Sequence, residues 1–154
     1  MEKKRERLDI KDYGISKERQ GMLSWSFVEE QMLDPKQYWL STTKPNGLPH
    51  AIPIWGIWFE SKLFFGGGPN TQNRKNLEHN SNIVAHTESG SNVVIIEGSV
   101  KIEEKEDVIQ EIIKLYKEKY DMDHPPPFWR VDPKKVLAWK IDEFADTPTK
   151  WIFS

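Results

Sequence analysis

The run from Tyr38 to Leu77, YWLSTTKPNGLPHAIPIWGIWFESKLFFGGGPNTQNRKNL, constrains the fold more than any other part of the chain. Gln37 to Thr43 is rich in aromatic and β-branched residues and reads as a strand. Pro45-Asn46-Gly47 is a hairpin turn, because Asn and Gly tolerate positive φ. Leu48 to Glu60 reads as one long second strand. One face carries Leu48, His50, Ile52, Ile54 and Trp58, and the other Ala51, Pro53, Trp55, Ile57 and Phe59. Both faces are apolar, so neither is simply solvated. A small barrel has one inner face, and the outer face therefore calls for a partner surface, most simply a second copy of the chain. Pro53 has no N–H to give a ladder, which marks an edge, a bulge or an opening at that point. Leu63 to Gly66 forms the third strand, and Gly66-Gly67-Gly68-Pro69 breaks it before a short basic helix over Asn70 to Asn80.

Around this run the pattern stays mainly β. Asn82 to Glu88, Asn92 to Glu103, Lys135 to Ile141 and Thr149 to Phe153 read as further strands. In the second of these, Val94, Ile96, Val100 and Ile102 face inward, and Glu97, Ser99, Lys101 and Glu103 outward. Glu104 to Tyr120 is an amphipathic helix with the stripe Val108, Ile109, Ile112, Ile113, Leu115, Tyr116 and Tyr120. Its acids come early and its lysines late, as the helix dipole favours. Ser26 and Glu29 form a capping-box pattern for a short helix over Phe27 to Leu33, ended by Asp34-Pro35. Residues 1–20 form a charged N-terminal segment with a frayed start, and 21–154 a single domain. The expected architecture is a six- to seven-stranded antiparallel barrel with peripheral helices.

Composition narrows the function. The net charge of −2 argues against a nucleic-acid partner. The absence of Cys excludes disulfides, thiolate metal sites and a Cys nucleophile. No apolar stretch reaches the length of a membrane span, and the charged start has no apolar core of a secretory signal. These features point to a cytoplasmic protein. There is no G-x-S-x-G elbow for a hydrolase. His50, His79, His86 and His124 lie in separate segments without metal-ligand spacing, so no metal is expected. His79 and His124 read as surface residues, whereas His50 and His86 are placed to line a cavity.

The glycine bend is the chief candidate for chemistry. Glycines let a ligand approach the backbone, consecutive amides cradle anions, and a helix N-terminus adds partial positive charge. Arg74 and Lys75 add full charges. The plainer reading is a glycine-rich turn before a solvated basic helix. Of Trp39, Trp55, Trp58, Trp129, Trp139 and Trp151, packing explains most, and one or two suit the wall of a flat aromatic cofactor.

Taken in order, these segments resemble the pyridoxamine 5′-phosphate oxidase-like family of split β-barrel flavoproteins. The carrying motifs are Trp39-Leu40-Ser41-Thr42, Pro45-Asn46-Gly47, Pro49 to Trp55, Phe65 to Pro69, Thr71 to Leu77, Asn82 to His86 and Val93 to Gly98. The ending Val136-Leu137-Ala138-Trp139 with Thr147 to Phe153 resembles one branch of that family. The resemblance implies a homodimeric split barrel that binds FMN, or in one branch the deazaflavin F420, and oxidises or reduces a small molecule. It also implies that His50, Pro53, Ile54 and Trp55 run along the ring, that Asn92 lies near it, and that Trp139 reaches over from the partner chain. Gly66, Gly67, Thr71, Gln72, Asn73, Arg74 and Lys75 would then take the phosphate. This chain departs from the family there. Thr71, Gln72 and Asn73 stand where the family has Ser-Arg-Lys, and Gly66-Gly67 where it has hydroxyl residues. The alternatives are an F420-dependent reductase and a non-catalytic ligand-binding or stress protein without the cofactor.

Overall fold

A computed structural model describes residues 2–154. Nine strands form one antiparallel sheet, in the order β1-β9-β8-β7-β6-β2-β3, with β4 paired to β5 and β5 to β8. The strands are β1 Lys3–Arg7, β2 Tyr38–Thr43, β3 Pro49–Ile54, β4 Ile57–Phe59, β5 Lys62–Phe65, β6 Asn82–His86, β7 Asn92–Ile102, β8 Trp129–Lys140 and β9 Thr149–Phe153. The helices are α1 Trp25–Leu33, α2 Gln72–His79 and α3 Glu106–Tyr120. β8 carries the closure: β7 covers one edge, while β5 takes the N-terminal part of the other and β9 the C-terminal part. The result is a split barrel.

Two differences from the sequence reading raise the strand count. The segment from Leu48 to Glu60 is not one strand, because it breaks at Trp55-Gly56 between β3 and β4. Gly56 is buried there, and its backbone is spent on α3. Its N–H donates to the Tyr120 hydroxyl (2.9 Å), and its carbonyl accepts from Lys119 Nζ (2.9 Å). The charged start is not frayed, since Lys3 to Arg7 pair with Phe153 to Thr149 as an outer strand.

The core runs from α1 through Tyr38, Leu40, Leu63, Phe65, Val94, Ile96, Val136 and Trp151. A second cluster, Ile57, Phe64, Ile112, Tyr116 and Phe128, seats α3 on the barrel. The capping box does not form. The helix starts at Trp25 behind Ser24, with no side-chain cap, and Glu29 turns inward instead. Its carboxylate accepts from Trp25 Nε1 (2.7 Å), Trp58 Nε1 (2.5 Å) and the Ser61 hydroxyl. Burial alone would raise the Glu29 carboxyl, but those three donors outweigh it and hold it below the usual range.

The alternation in β7 holds for Val94, Ile96 and Val100 but fails at its end, where Ile102 is 39% exposed and Glu103 only 4%. Glu103 is drawn in by Arg130 of β8, which also binds Asp132 (2.8 Å). Upstream, the pairing steps from Glu97↔Lys135 to Gly98↔Pro133, leaving Lys134 bulged out of β8.

Candidate functional site

The β2–β3 hairpin sets one wall. Its turn closes as expected, with Gly47 at φ +88° and Asn46 Oδ1 accepting the Leu48 N–H (3.1 Å). In the register that follows, Ile52 and Ile54 face a cavity, while Pro49, Ala51 and Pro53 stand exposed on the opposite face. β3 ends the strand order, so Pro53 sits on an edge where its missing N–H costs nothing. At the strand break the Trp55 ring stacks flat on Tyr120, with centroids 4.4 Å apart and planes 1° from parallel.

The glycine bend and α2 make the facing wall. Thr71 caps α2 by accepting the Arg74 N–H (3.2 Å), and its hydroxyl donates to the Gly68 carbonyl (3.0 Å). A relay pins the helix to the sheet: Gln72 Nε2 donates to Asn76 Oδ1 (2.7 Å), and buried Asn76 Nδ2 to Thr42 Oγ1 (2.9 Å). With that face of α2 fixed, Asn73, Arg74 and Leu77 turn toward the cavity. The first-turn amides of Gln72 and Asn73 have no carbonyl a turn earlier in the helix to bond.

The third wall comes from α3 and the loop after it. Tyr116 is buried, which pushes its phenol up from the ordinary value, and its hydroxyl accepts the Gly66 N–H (3.3 Å). His124 packs 4.7 Å from Tyr116 and 5.2 Å from Phe128. Its Nδ1 bonds the Pro125 carbonyl (2.8 Å). A carbonyl only accepts, so Nδ1 carries the proton there and Nε2 is left for a ligand. A Cβ on Gly66 would lie 2.6 Å from that Nε2. The imidazole therefore occupies the space where a side chain at this bend would stand.

These walls enclose about 220 Å³, lined chiefly by Ile52, Ile54, Trp55, Phe65, Leu77 and Trp129 along the apolar length, with Asn73, Arg74 and His124 at the polar end. A second hollow of about 440 Å³ adjoins the first, sharing Gly67, Arg74 and His124 with it and continuing past Gly68, Pro69 and Pro125 to Pro127. Arg74 is held by Glu78 (Nε–Oε1 3.3 Å) and lies 5.7 Å from the Trp129 ring. Asn73 Oδ1 is buried without a partner. Such an orphan marks a position that a ligand or a rotated amide completes. A slot with aromatic and aliphatic walls and an anion-accepting end fits a flat ring carrying a phosphate.

Of the residues expected from sequence, Ile54, Trp55, Gly66, Gly67, Thr71, Asn73 and Arg74 meet around this cavity. Gln72 and Lys75 are exposed on α2, and Pro53 points to the outer face. His50 is half-buried on β3 with an unpartnered Nδ1. His86 stacks 6.5 Å from Trp39. Neither His50 nor His86 lines the cavity, and the histidine that does is His124, which the sequence reading put at the surface. Asn92 pairs with Lys140 and Trp139 with Val93, so the two side chains leave opposite faces of β7 and β8, and neither lines the cavity of their own chain. Ile52 was findable, being in the same alternating row as Ile54. Tyr116, His124 and Trp129 lie far along the chain from the bend they face, and no local pattern announces them.

The family model for pyridoxamine 5′-phosphate oxidase matches residues 26–144. Among curated proteins none matches the chain. Several solved structures share the fold at low identity. A conserved hypothetical protein from Mycobacterium tuberculosis is 16% identical, with 81% of this chain and 90% of that one aligned at a TM-score of 0.66. An F420 reductase is 21% identical over 70% of this chain and 94% of its own, at 0.57. A pyridoxamine 5′-phosphate oxidase-related, FMN-binding protein from Nostoc punctiforme is 12% identical over 71% and 76%, at 0.55. No helix among the described residues is long and apolar enough to cross a membrane.

Proposed function

The chain belongs to the pyridoxamine 5′-phosphate oxidase family, and from that premise we propose that it binds a flavin or deazaflavin in the cavity beneath β3 and serves as an oxidoreductase for a small molecule. The observation that carries this reading is the cavity itself, apolar and aromatic along its length with Arg74 and the orphaned Asn73 amide at one end. When bound, such a group supplies hydride or electron transfer at its ring. Ile52, Ile54 and Trp55 would flank that ring and keep water from it, and Arg74 would fix its anionic end. Titration of the purified protein with FMN and F420, followed by fluorescence and calorimetry, tests the reading. Micromolar or tighter binding of either supports it. Failure of both leaves a non-catalytic binding protein.

The same reading includes a homodimer. β3 is an edge strand whose outward row is exposed, next to Leu48 at 57% and Trp55 at 40% exposure. By the family resemblance, a second copy would also bring Trp139 of the partner subunit toward the ring. Light scattering at twice the chain mass of 18.1 kDa is the expected result.

A further inference from the structure

A separate cavity of about 230 Å³ lies between the end of α1, β4 and the last turns of α3, and it shares no residue with the two hollows above. Leu33, Ile57, Trp58 and Leu115 give it apolar walls, and the exposed Asp34 and Glu118 add negative charge. Leu33 is 58% exposed, so this aliphatic wall is open to solvent. The remaining wall residue is Lys119, which is half-buried.

Two acceptors hold its amine. Nζ donates to the Gly56 carbonyl (2.9 Å) and to the Tyr38 hydroxyl (3.0 Å), whose own proton goes to the Met32 carbonyl (2.5 Å). Among the described residues Lys119 has no carboxylate as an ion-pair partner. The nearby Lys36, whose Nζ donates to the Lys119 carbonyl (2.8 Å), adds positive charge instead. A neutral amine has two N–H groups, and these two acceptors use both, so its lone pair is left without a protein partner. An ordinary lysine titrates at about 10.4, so less than about 1% of it is free amine at pH 8. Burial, aided by Lys36 and opposed by Asp34, lowers Lys119 to about 8, where half of it is free amine. A desolvated lysine beside an apolar cavity is the form in which this side chain attacks carbonyl carbon.

We propose that Lys119 is a carbonyl-trapping site, at which an apolar aldehyde seats its body against Leu33, Ile57, Trp58 and Leu115 and forms an imine with Nζ. The Nζ–C bond forms, the carbonyl C–O bond breaks, and the oxygen leaves as water with the two amine hydrogens. No oxidant or reductant enters. A proton from solvent then gives the iminium, which keeps one N–H for the Gly56 carbonyl. Asp34 and Glu118 disfavour an anionic aldehyde at this cavity. The proposal is independent of the ring-binding reading, since the cavities share no residue.

Treatment of the full chain with hexanal at pH 8 tests it, with cyanoborohydride present to fix each imine as a secondary amine and peptide mass spectrometry to locate it. Lys119 is expected to be labelled about tenfold faster than the exposed Lys101 and Lys114. Glyoxylate, an anionic aldehyde, is expected to show no such preference. Equal hexanal labelling of the three lysines overturns the proposal. A preference for Lys119 as large with glyoxylate as with hexanal also overturns it, because the amine is then reactive without a binding cavity. Leu115→Ala removes part of the apolar wall and leaves the amine in place. It is expected to slow hexanal labelling of Lys119 about fivefold and to leave labelling by formaldehyde, which has no apolar body, unchanged. Hexanal labelling at the wild-type rate in that variant places the aldehyde elsewhere and sinks the proposal.

Discussion

Gly98 and Gly66 both exclude a side chain, but different things stand in the way. At Gly98 the obstacle is backbone: an added Cβ would overlap the Asp132 carbonyl and sit 3.0 Å from Pro133 Cα, at the point where β7 and β8 step around the Lys134 bulge. At Gly66 it is the edge of one imidazole, His124, on a loop. Strand backbone in the middle of a sheet has nowhere to go, whereas a loop side chain swings away. One glycine therefore protects the fold and the other the candidate site. The same contrast separates two polar clusters. Around Glu29 every donor has its acceptor and the group is structural, whereas at the cavity end Asn73 Oδ1 is buried without a partner.

The sharpest way to break this contrast is Gly98→Ala. It should cost about 3 kcal/mol, since the overlap is with backbone. By calorimetry the midpoint should drop by roughly 10 °C, with ligand affinity unchanged in the fraction still folded. Next in size is Glu29→Ala, which strands the indole N–H of Trp58 and leaves that of Trp25 only its 3.3 Å bond to the Ser61 hydroxyl. A loss of about 2 kcal/mol in urea unfolding is expected, again without effect on binding. Gly66→Ala should reverse the pattern. Stability should fall by less than about 1 kcal/mol as the ring moves aside. Affinity for the phosphate-bearing ligand should fall about tenfold, with no change for the phosphate-free ring. Equal losses for both ligands would mean that His124 only shapes the cavity.

A pH effect concerns the clamp on the β3–β4 break. Burial, aided by Lys36, lowers the Lys119 ammonium to about 8. The unfolded chain then holds a proton on this lysine that the folded chain releases between about pH 8 and 10, so stability from this group rises with pH across that window. Burial holds the phenols of Tyr38 and Tyr116 well above their usual range, and above pH 10 they reverse the trend, because the unfolded chain loses those protons first. Chemical denaturation between pH 8 and 10 should show a shallower rise in Lys119→Met than in wild type. Identical slopes would mean that the lysine stays solvated.

Much of the fold was legible in the order of residues. The Pro45-Asn46-Gly47 turn, the glycine break at Gly66 to Gly68, the α3 stripe and the β7 alternation are local devices, and each appears where its chemistry requires. The errors came where a distant partner overrode local pattern. Tyr120 and Lys119 claimed the backbone of Gly56 and split a strand. Arg130 drew Glu103 inward, and two indoles took Glu29 from its capping role. The apolar wall of the candidate site was half visible, because Ile54 and Trp55 lie in a strand of recognisable pattern.

The polar end was visible only as what it lacked. By the family resemblance, Gly66, Gly67, Gln72 and Asn73 stand where the family carries hydroxyls and cations, and that much is read from the order of residues. Tertiary structure decided what stands in their place. The loop after α3 folds back and lays His124 over Gly66, and Pro125 to Pro127 extend the cavity beyond Arg74. Local periodicity encodes which face of an element is buried. It carries no information about which loop, some sixty residues away, closes over that face, because the packing of α3 on the barrel sets that contact.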